Sequence, residues 1–210
     1  MAMSTESVPA PGAAATAVPG PHAATVQEYF ALERTSDARH EYVDGEILAM
    51  AGETPTHNRI ARNICVCLEN AFGTRSCESF IENIRTRVSP SQYRYPDIAA
   101  LCGEALFDEG KPPTLLNPAV IVEVLSPSTE VADRGEKFNE YRQLETLTDY
   151  ILVAQDRIEV AHYARQSERQ WTVTIYVELQ DRLVLPSLEV TLTLADVYRK
   201  TALAASDQKL

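Results

Sequence analysis

Two strongly apolar stretches of this 210-residue chain each carry a single carboxylate. Asp97 sits in Tyr95-Pro96-Asp97-Ile98-Ala99-Ala100-Leu101, and Glu123 in Val120-Ile121-Val122-Glu123-Val124-Leu125-Ser126. Continuous apolar runs with β-branched residues predict buried strands. An ionised carboxylate inside such a strand costs several kcal/mol unless it is paired, and Glu is almost never fully buried alone. The two strands are therefore expected to be neighbours. With Lys137 following, Asp97 and Glu123 then form a site for a divalent cation. Oxygen-only ligation suits Mg²⁺ or Mn²⁺.

The elements around these strands are legible. Thr25-Val26-Gln27-Glu28 is a capping box that opens a helix through Glu33. Asp44-Gly45, between Tyr42-Val43 and Ile47-Leu48, is a strong hairpin signal. Thr54-Pro55 supplies a cap and a first-turn proline to a helix ending at Phe72-Gly73. Its Ile60, Ile64, Val66, Leu68 and Ala71 are expected to face a sheet. Strand patterns follow at 79–81, 84–88 and 95–101, with a turn at Ser89-Pro90-Ser91. The stretch 103–117, with Pro112-Pro113, reads as a loop placed to cover the site. A helix predicted over 133–144 joins the Glu123 strand to another at 150–154, a βαβ unit that implies a parallel pair. A hairpin over 158–163 and 171–178, a broken strand over 182–193 and a closing helix over 194–200 complete the chain. The sum is an α/β domain with a mixed central sheet flanked by helices.

Composition narrows the function classes. The chain is 45% hydrophobic and 23% charged, an ordinary globular balance. No apolar run is long enough to span a bilayer, and no signal-peptide pattern is present. Residues 1–22, rich in Ala, Pro, Gly, Ser and Thr, read as a disordered leader. Cys65, Cys67, Cys77 and Cys102 lack zinc spacing and read as reduced thiols, the expectation for a cytoplasmic protein. The net charge of −11 argues against strong non-specific DNA binding. Arg85, Arg87 and Arg94, just before Asp97, either line a local basic cleft or balance an acidic surface. There is no Gly-x-Ser-x-Gly elbow and no phosphate-binding Gly-x-x-x-x-Gly-Lys loop.

The ordered segments His40-Glu41-Tyr42-Val43-Asp44-Gly45-Glu46, Tyr95-Pro96-Asp97, Glu123-Val124-Leu125-Ser126-Pro127-Ser128-Thr129 and Asp133-Arg134-Gly135-Glu136-Lys137-Phe138 carry a family resemblance. Met50-Ala51-Gly52, His57-Asn58 and Asn117-Pro118 lie between them. The chain resembles the Uma2 (DUF820) family of the PD-(D/E)XK nuclease superfamily. The resemblance implies a restriction-endonuclease-like fold over 23–205 and Mg²⁺-dependent (or Mn²⁺-dependent) hydrolysis of DNA. It implies that Asp97 and Glu123 hold the metal. The superfamily lysine two residues after the second acid is replaced here by Leu125, and the resemblance assigns its role to Lys137. Glu41 is a fourth candidate, either in the site or at an exposed strand end, with Glu46 a weaker rival. His57 either contacts phosphate, acts as a base, or packs in the first helical turn. Ser126, Ser128 and Thr129 are explained by turn and cap formation. Homodimerisation is common among nucleases that cut both strands. The rival reading is a catalytically silent module that binds nucleic acid or protein and keeps the acidic pocket.

Overall fold

The computed structural model describes residues 23–50, 52–110, 112–127 and 129–207. The expected leader at 1–22 and Ser128 of the expected turn lie outside them. Helix α1 (Val26–Glu33) starts on its capping box: Glu28 N–H donates to Thr25 Oγ1 at 3.2 Å, and Thr25 N–H to Glu28 at 2.7 Å. Strands β1 (His40–Val43) and β2 (Glu46–Ala49) form the hairpin, with Asp44 and Gly45 both at positive φ (47° and 99°). That backbone is the one an Asp-Gly turn suits. Helix α2 (Pro55–Phe72) begins at Thr54, whose Oγ1 accepts the His57 N–H at 3.1 Å.

Strands β3 (Cys77–Ile81), β4 (Arg85–Ser89), β5 (Gln92–Arg94), β6 (Ile98–Cys102), β7 (Thr114–Leu115) and β8 (Val120–Leu125) follow. Helix α3 (Glu130–Ala132), a π-helical turn (Asp133–Lys137) and α4 (Phe138–Tyr141) then run without a break. The chain ends through β9 (Asp149–Ala154), β10 (Val160–Arg165), β11 (Trp171–Tyr176), β12 (Arg182–Leu185), β13 (Val190–Thr193), α5 (Leu194–Val197) and α6 (Ala202–Asp207). No helix among the described residues is long and apolar enough to cross a membrane.

The central sheet has six strands in the order β11-β10-β9-β8-β6-β3. Its β8–β9 pair is parallel and the rest antiparallel, the mixed sheet expected from the sequence. A second sheet, β2-β1-β5-β4-β7, stands beside it. Every residue of β8 and β9 is buried because both faces are covered. Val122, Val124, Ile151 and Val153 pack with α2 and α5, whereas Ile121, Leu125, Tyr150 and Leu152 pack with α4 and Leu147. The link Tyr95-Pro96-Asp97 carries the chain from one sheet into the other.

The structure departs from expectation at four places. The strand expected to begin at Tyr95 begins at Ile98, since Pro96 has no N–H for a ladder. The buried face of α2 is His57, Ile60, Ala61, Ile64, Leu68 and Phe72, while Val66 and Ala71 are exposed. None of the described residues of the loop 103–117 lines the cleft. Thr114 and Leu115 pair with β4, Phe107 bridges to Leu115, and Arg85 holds Thr114 Oγ1 and the Pro112 carbonyl. Burial of Leu115 keeps the loop against that edge. Finally, Cys77 and Cys102 form a disulfide rather than standing as reduced thiols. They are directly opposed across β3 and β6, which brings their Cβ atoms into bonding range. Cys65 and Cys67 are free.

The two faces of α2 generate a contrast. Ile64→Ala is expected to cost about 2–5 kcal/mol in urea denaturation, and Val66→Ala within about 0.5 kcal/mol. Equal losses at the two positions would overturn the assignment of the helix face.

Candidate functional site

Asp97 and Glu123 are brought together by strand register. In the antiparallel β6–β8 pair Ile98 lies opposite Val122. Asp97 immediately precedes that pair and Glu123 immediately follows it, so the two carboxylates enter the same end of the β6–β8 ladder. Asp97 Oδ2 accepts the Val124 N–H at 2.6 Å, which fixes the carboxylate against β8. Both residues are buried, at 8% and 4% exposure. They lie on the wall of a cleft of about 680 Å³ whose lining also includes Glu41, His57, Arg94 and Lys137.

Lys137 approaches from the π-helical turn. Its ammonium donates to Glu123 Oε1 at 3.3 Å and lies 2.9 Å from Asp133 Oδ1. Tyr141, one turn on, donates its hydroxyl to the same Glu123 oxygen at 3.0 Å. Single π turns inside α-helices are rare and recur at functional sites. Here the turn presents Asp133 and Lys137 to the strand while Tyr141 stays in the core.

Glu41 also reaches the cleft, and it is pinned there. Arg94 Nη1 donates to Glu41 Oε2 at 2.6 Å, and the Tyr95 N–H to Oε1 at 3.2 Å. The other side of the guanidinium grips Glu140 through Nε and Nη2, both at 2.8 Å. Glu46 is exposed on β2 and does not line the cleft. Of the three arginines before Asp97, Arg94 is consumed by these pairs. Arg85 is buried over the Phe30 ring at 4.4 Å, and Arg87 alone is exposed. The first two therefore neither balance the surface nor offer a basic groove.

His57 is the residue whose neighbours the sequence did not disclose. Its backbone N–H is capped by Thr54, as in any first helical turn, but its imidazole lies between two carboxylates. Nε2 is 3.1 Å from Asp97 Oδ2 and Nδ1 is 3.0 Å from Glu53 Oε2. Glu53, Glu140, Tyr141 and Asp133 were not singled out from the sequence. Glu53 and Asp133 each left a signal, an i−4 spacing from His57 and from Lys137.

The electrostatics follow from burial. Burial, then Asp97, Asp133 and Glu41, push Glu123 up to about 8 against the opposing ammonium of Lys137. Burial lowers Lys137, but Glu123, Glu41 and Asp133 outweigh it and hold the ammonium well above its ordinary value. Burial would raise Glu41, yet Lys137 and Arg94 bring it below the usual carboxylate range. For His57, burial is overcome by Asp97 and Glu53, which raise it to about 10.

Comparisons with known proteins agree with this architecture. The model of the Uma2 family, described as "Putative restriction endonuclease", matches residues 26–196. The chain belongs to that family. It is 34% identical over 151 residues to the uncharacterized protein sll1609 of Synechocystis sp., covering 71% of this chain and 85% of that one. It is 32% identical over 177 residues to slr1290 of the same organism, covering 84% and 92%. The fold matches a crystal structure titled as a "putative nuclease belonging to DUF820" from Anabaena variabilis, with a TM-score of 0.63 at 17% identity. The match covers 78% of this chain and 91% of that one.

A raised folded-state value means that Glu123 favours the folded state at low pH. That stability is fully present below the ordinary value of 4.5 and is lost as pH rises through about 8. His57, also raised, acts in the same direction at higher pH. In chelator, wild type is expected to lose melting temperature between pH 5 and 8, and Glu123→Gln to lose much less. Parallel pH profiles for the two proteins would refute the assignment.

Proposed function

We propose that this chain is a divalent-metal-dependent endonuclease that hydrolyses DNA phosphodiester bonds at the cleft formed by Asp97, Glu123 and Lys137. The observation that carries this reading is that buried Asp97 and Glu123 line one cleft with Lys137, whose ammonium donates to the Glu123 carboxylate. The donor set suits a hard cation. Asp97 Oδ1 and Glu123 Oε2 accept no hydrogen bond from the described residues. Around them Glu41, Asp133 and Glu140 are also buried, and this crowding of carboxylates is part of what pushes Glu123 up to about 8. A divalent ion would take the place of the proton that this crowding favours on Glu123.

Asp97 and Glu123 would hold Mg²⁺ or Mn²⁺. The ion would polarise water and offset charge growing on the phosphate. The residues of the chain have separate tasks. Val124 N–H and the Tyr141 hydroxyl each occupy one carboxylate oxygen, which orients the second oxygen toward the cleft. Lys137, already beside Glu123, would donate to the attacking water or to a phosphate oxygen and replace the lysine missing at Leu125. Arg94 keeps Glu41 ionised beside them. With a net charge of −11, DNA binding would depend on the ion and this cleft more than on general phosphate attraction.

The competing reading is a silent binding module, favoured by Leu125 and by the engagement of Lys137 with Asp133. One experiment separates the two. Wild type with Mg²⁺ or Mn²⁺ is expected to cut plasmid or single-stranded DNA. Asp97→Ala should lose both cleavage and the metal-induced rise in melting temperature. Lys137→Ala should lose roughly 100-fold or more in cleavage while keeping most of that thermal shift. Lys137→Arg should recover little, because a guanidinium differs from a compact ammonium in shape and hydration. Undiminished cutting by Lys137→Ala would remove the role given to the lysine. Metal binding by wild type with no cutting of any DNA form would favour the module.

A further inference from the structure

The geometry points to His57 as a nitrogen ligand in the proposed metal centre, which Glu53, His57 and Asp97 together make selective for Mn²⁺ over Mg²⁺. The inference rests on the metal-dependent reading above and concerns which metal the site takes.

Ligand atoms of Glu53, His57 and Asp97 all lie within 4.8 Å of one another. The His57 side chain is only 7% exposed, and its two nitrogens face carboxylate oxygens at 3.0 and 3.1 Å. Nδ1 is buried and makes no hydrogen bond, although Glu53 Oε2 is so close. Two ligands at right angles around a cation, with bonds of about 2.1 Å, stand about 3 Å apart. Either spacing fits that arrangement; since one ion bonds only one ring nitrogen, the carboxylate at the other nitrogen stands behind the ring. Without a metal, a doubly protonated ring would serve both carboxylates with its two N–H groups. A cation would take the place of the proton on one nitrogen, and the N–H on the other would stay on the remaining carboxylate. A carboxylate behind a ligating histidine fixes its ring and tautomer.

The support is built into the fold. The His57 backbone is locked by Thr54 Oγ1, and the Thr54 hydroxyl bonds to Gln155 just beyond β9. Glu53, at 29% exposure, stands nearer solvent, where an entering ion would meet it first. Selectivity follows from donor chemistry. Mg²⁺ prefers carboxylate and water oxygens, whereas imidazole nitrogen suits transition metals, and Mn²⁺ accepts both donor types.

The test uses the full chain stripped of metal with chelator, then loaded with Mn²⁺ or Mg²⁺. Pulsed EPR of the Mn²⁺ form should show a directly bonded ¹⁴N coupling. His57→Gln should remove that coupling and weaken Mn²⁺ binding by calorimetry roughly tenfold or more, with little change for Mg²⁺. Glu53→Gln, at a more exposed position, should weaken Mn²⁺ while the far-UV circular dichroism stays that of wild type. It keeps the test decisive if His57→Gln fails to fold. Bound Mn²⁺ without ¹⁴N coupling, or equal affinities in wild type and both variants, overturns the histidine ligand and leaves the Asp97–Glu123 reading standing. Mn²⁺ binding untouched by Asp97→Asn, or absent from wild type, overturns both.

Discussion

The guanidinium of Arg94 is the interaction on which the junction of the two sheets depends. It leaves β5 of one sheet, grips Glu41 on β1 beside it, and grips Glu140 on α4, which covers the other sheet. A planar fork with fixed donors can serve both carboxylates at once, which a lysine could not. Three residues later the chain has crossed into the central sheet and delivered Asp97. Tyr95, in between, is held by its phenol on buried Glu33. The location of Asp97 is thus set by ion pairs and hydrogen bonds on either side of a proline. Removing one partner of such a buried set leaves the others uncompensated, at a cost of about 3–5 kcal/mol.

The cleft crowds buried carboxylates together, and the protein holds that crowding in place with packed strands. Glu123 lies within a six-residue strand buried throughout, and Asp97 is tied to the backbone of the same strand. Neither can turn outward to water. Strain that cannot relax by movement is relieved by a proton or by a cation, and under the proposed function the carboxylates stand in place before the ion arrives. This is the economy of a preorganised site: the electrostatic cost is met on folding, against the stability of the whole domain.

What could be read from the sequence divides along physical lines. Asp97, Glu123 and the parallel β8–β9 pair were legible because a carboxylate in an apolar run and a strand–helix–strand order are local patterns. Lys137 was reachable from the family resemblance together with the short connection after β8. The partnership of Arg94 with Glu140 was not legible, since it joins positions 46 apart and nothing distinguishes Glu140 from a solvated helix residue. The opposition of Cys77 and Cys102 appears only when the register of β3 and β6 is known. Pro112-Pro113 signalled a loop correctly, but the docking of Leu115 on β4 decided where that loop lies. Position 125 has a similar explanation. Leu125 is packed with Tyr141 and Tyr150, so the side chain there is occupied in holding α4 to the sheet.

The π-helical turn at Asp133–Lys137 gives this helix two independent registers. A π turn spends one residue more than an α turn, and each residue of an α-helix advances by about 100°. Ahead of the turn, the helix axis is phased to its start after β8; beyond it, the phase is set by Phe138 and Tyr141 in the core. Shortening the segment by a single residue would merge the two phases. Either the lysine would swing away from Glu123 or the aromatic pair would leave the sheet. The extra residue works as a phase adapter, leaving the chemistry of one helical face free to change while the packing of the next stays fixed.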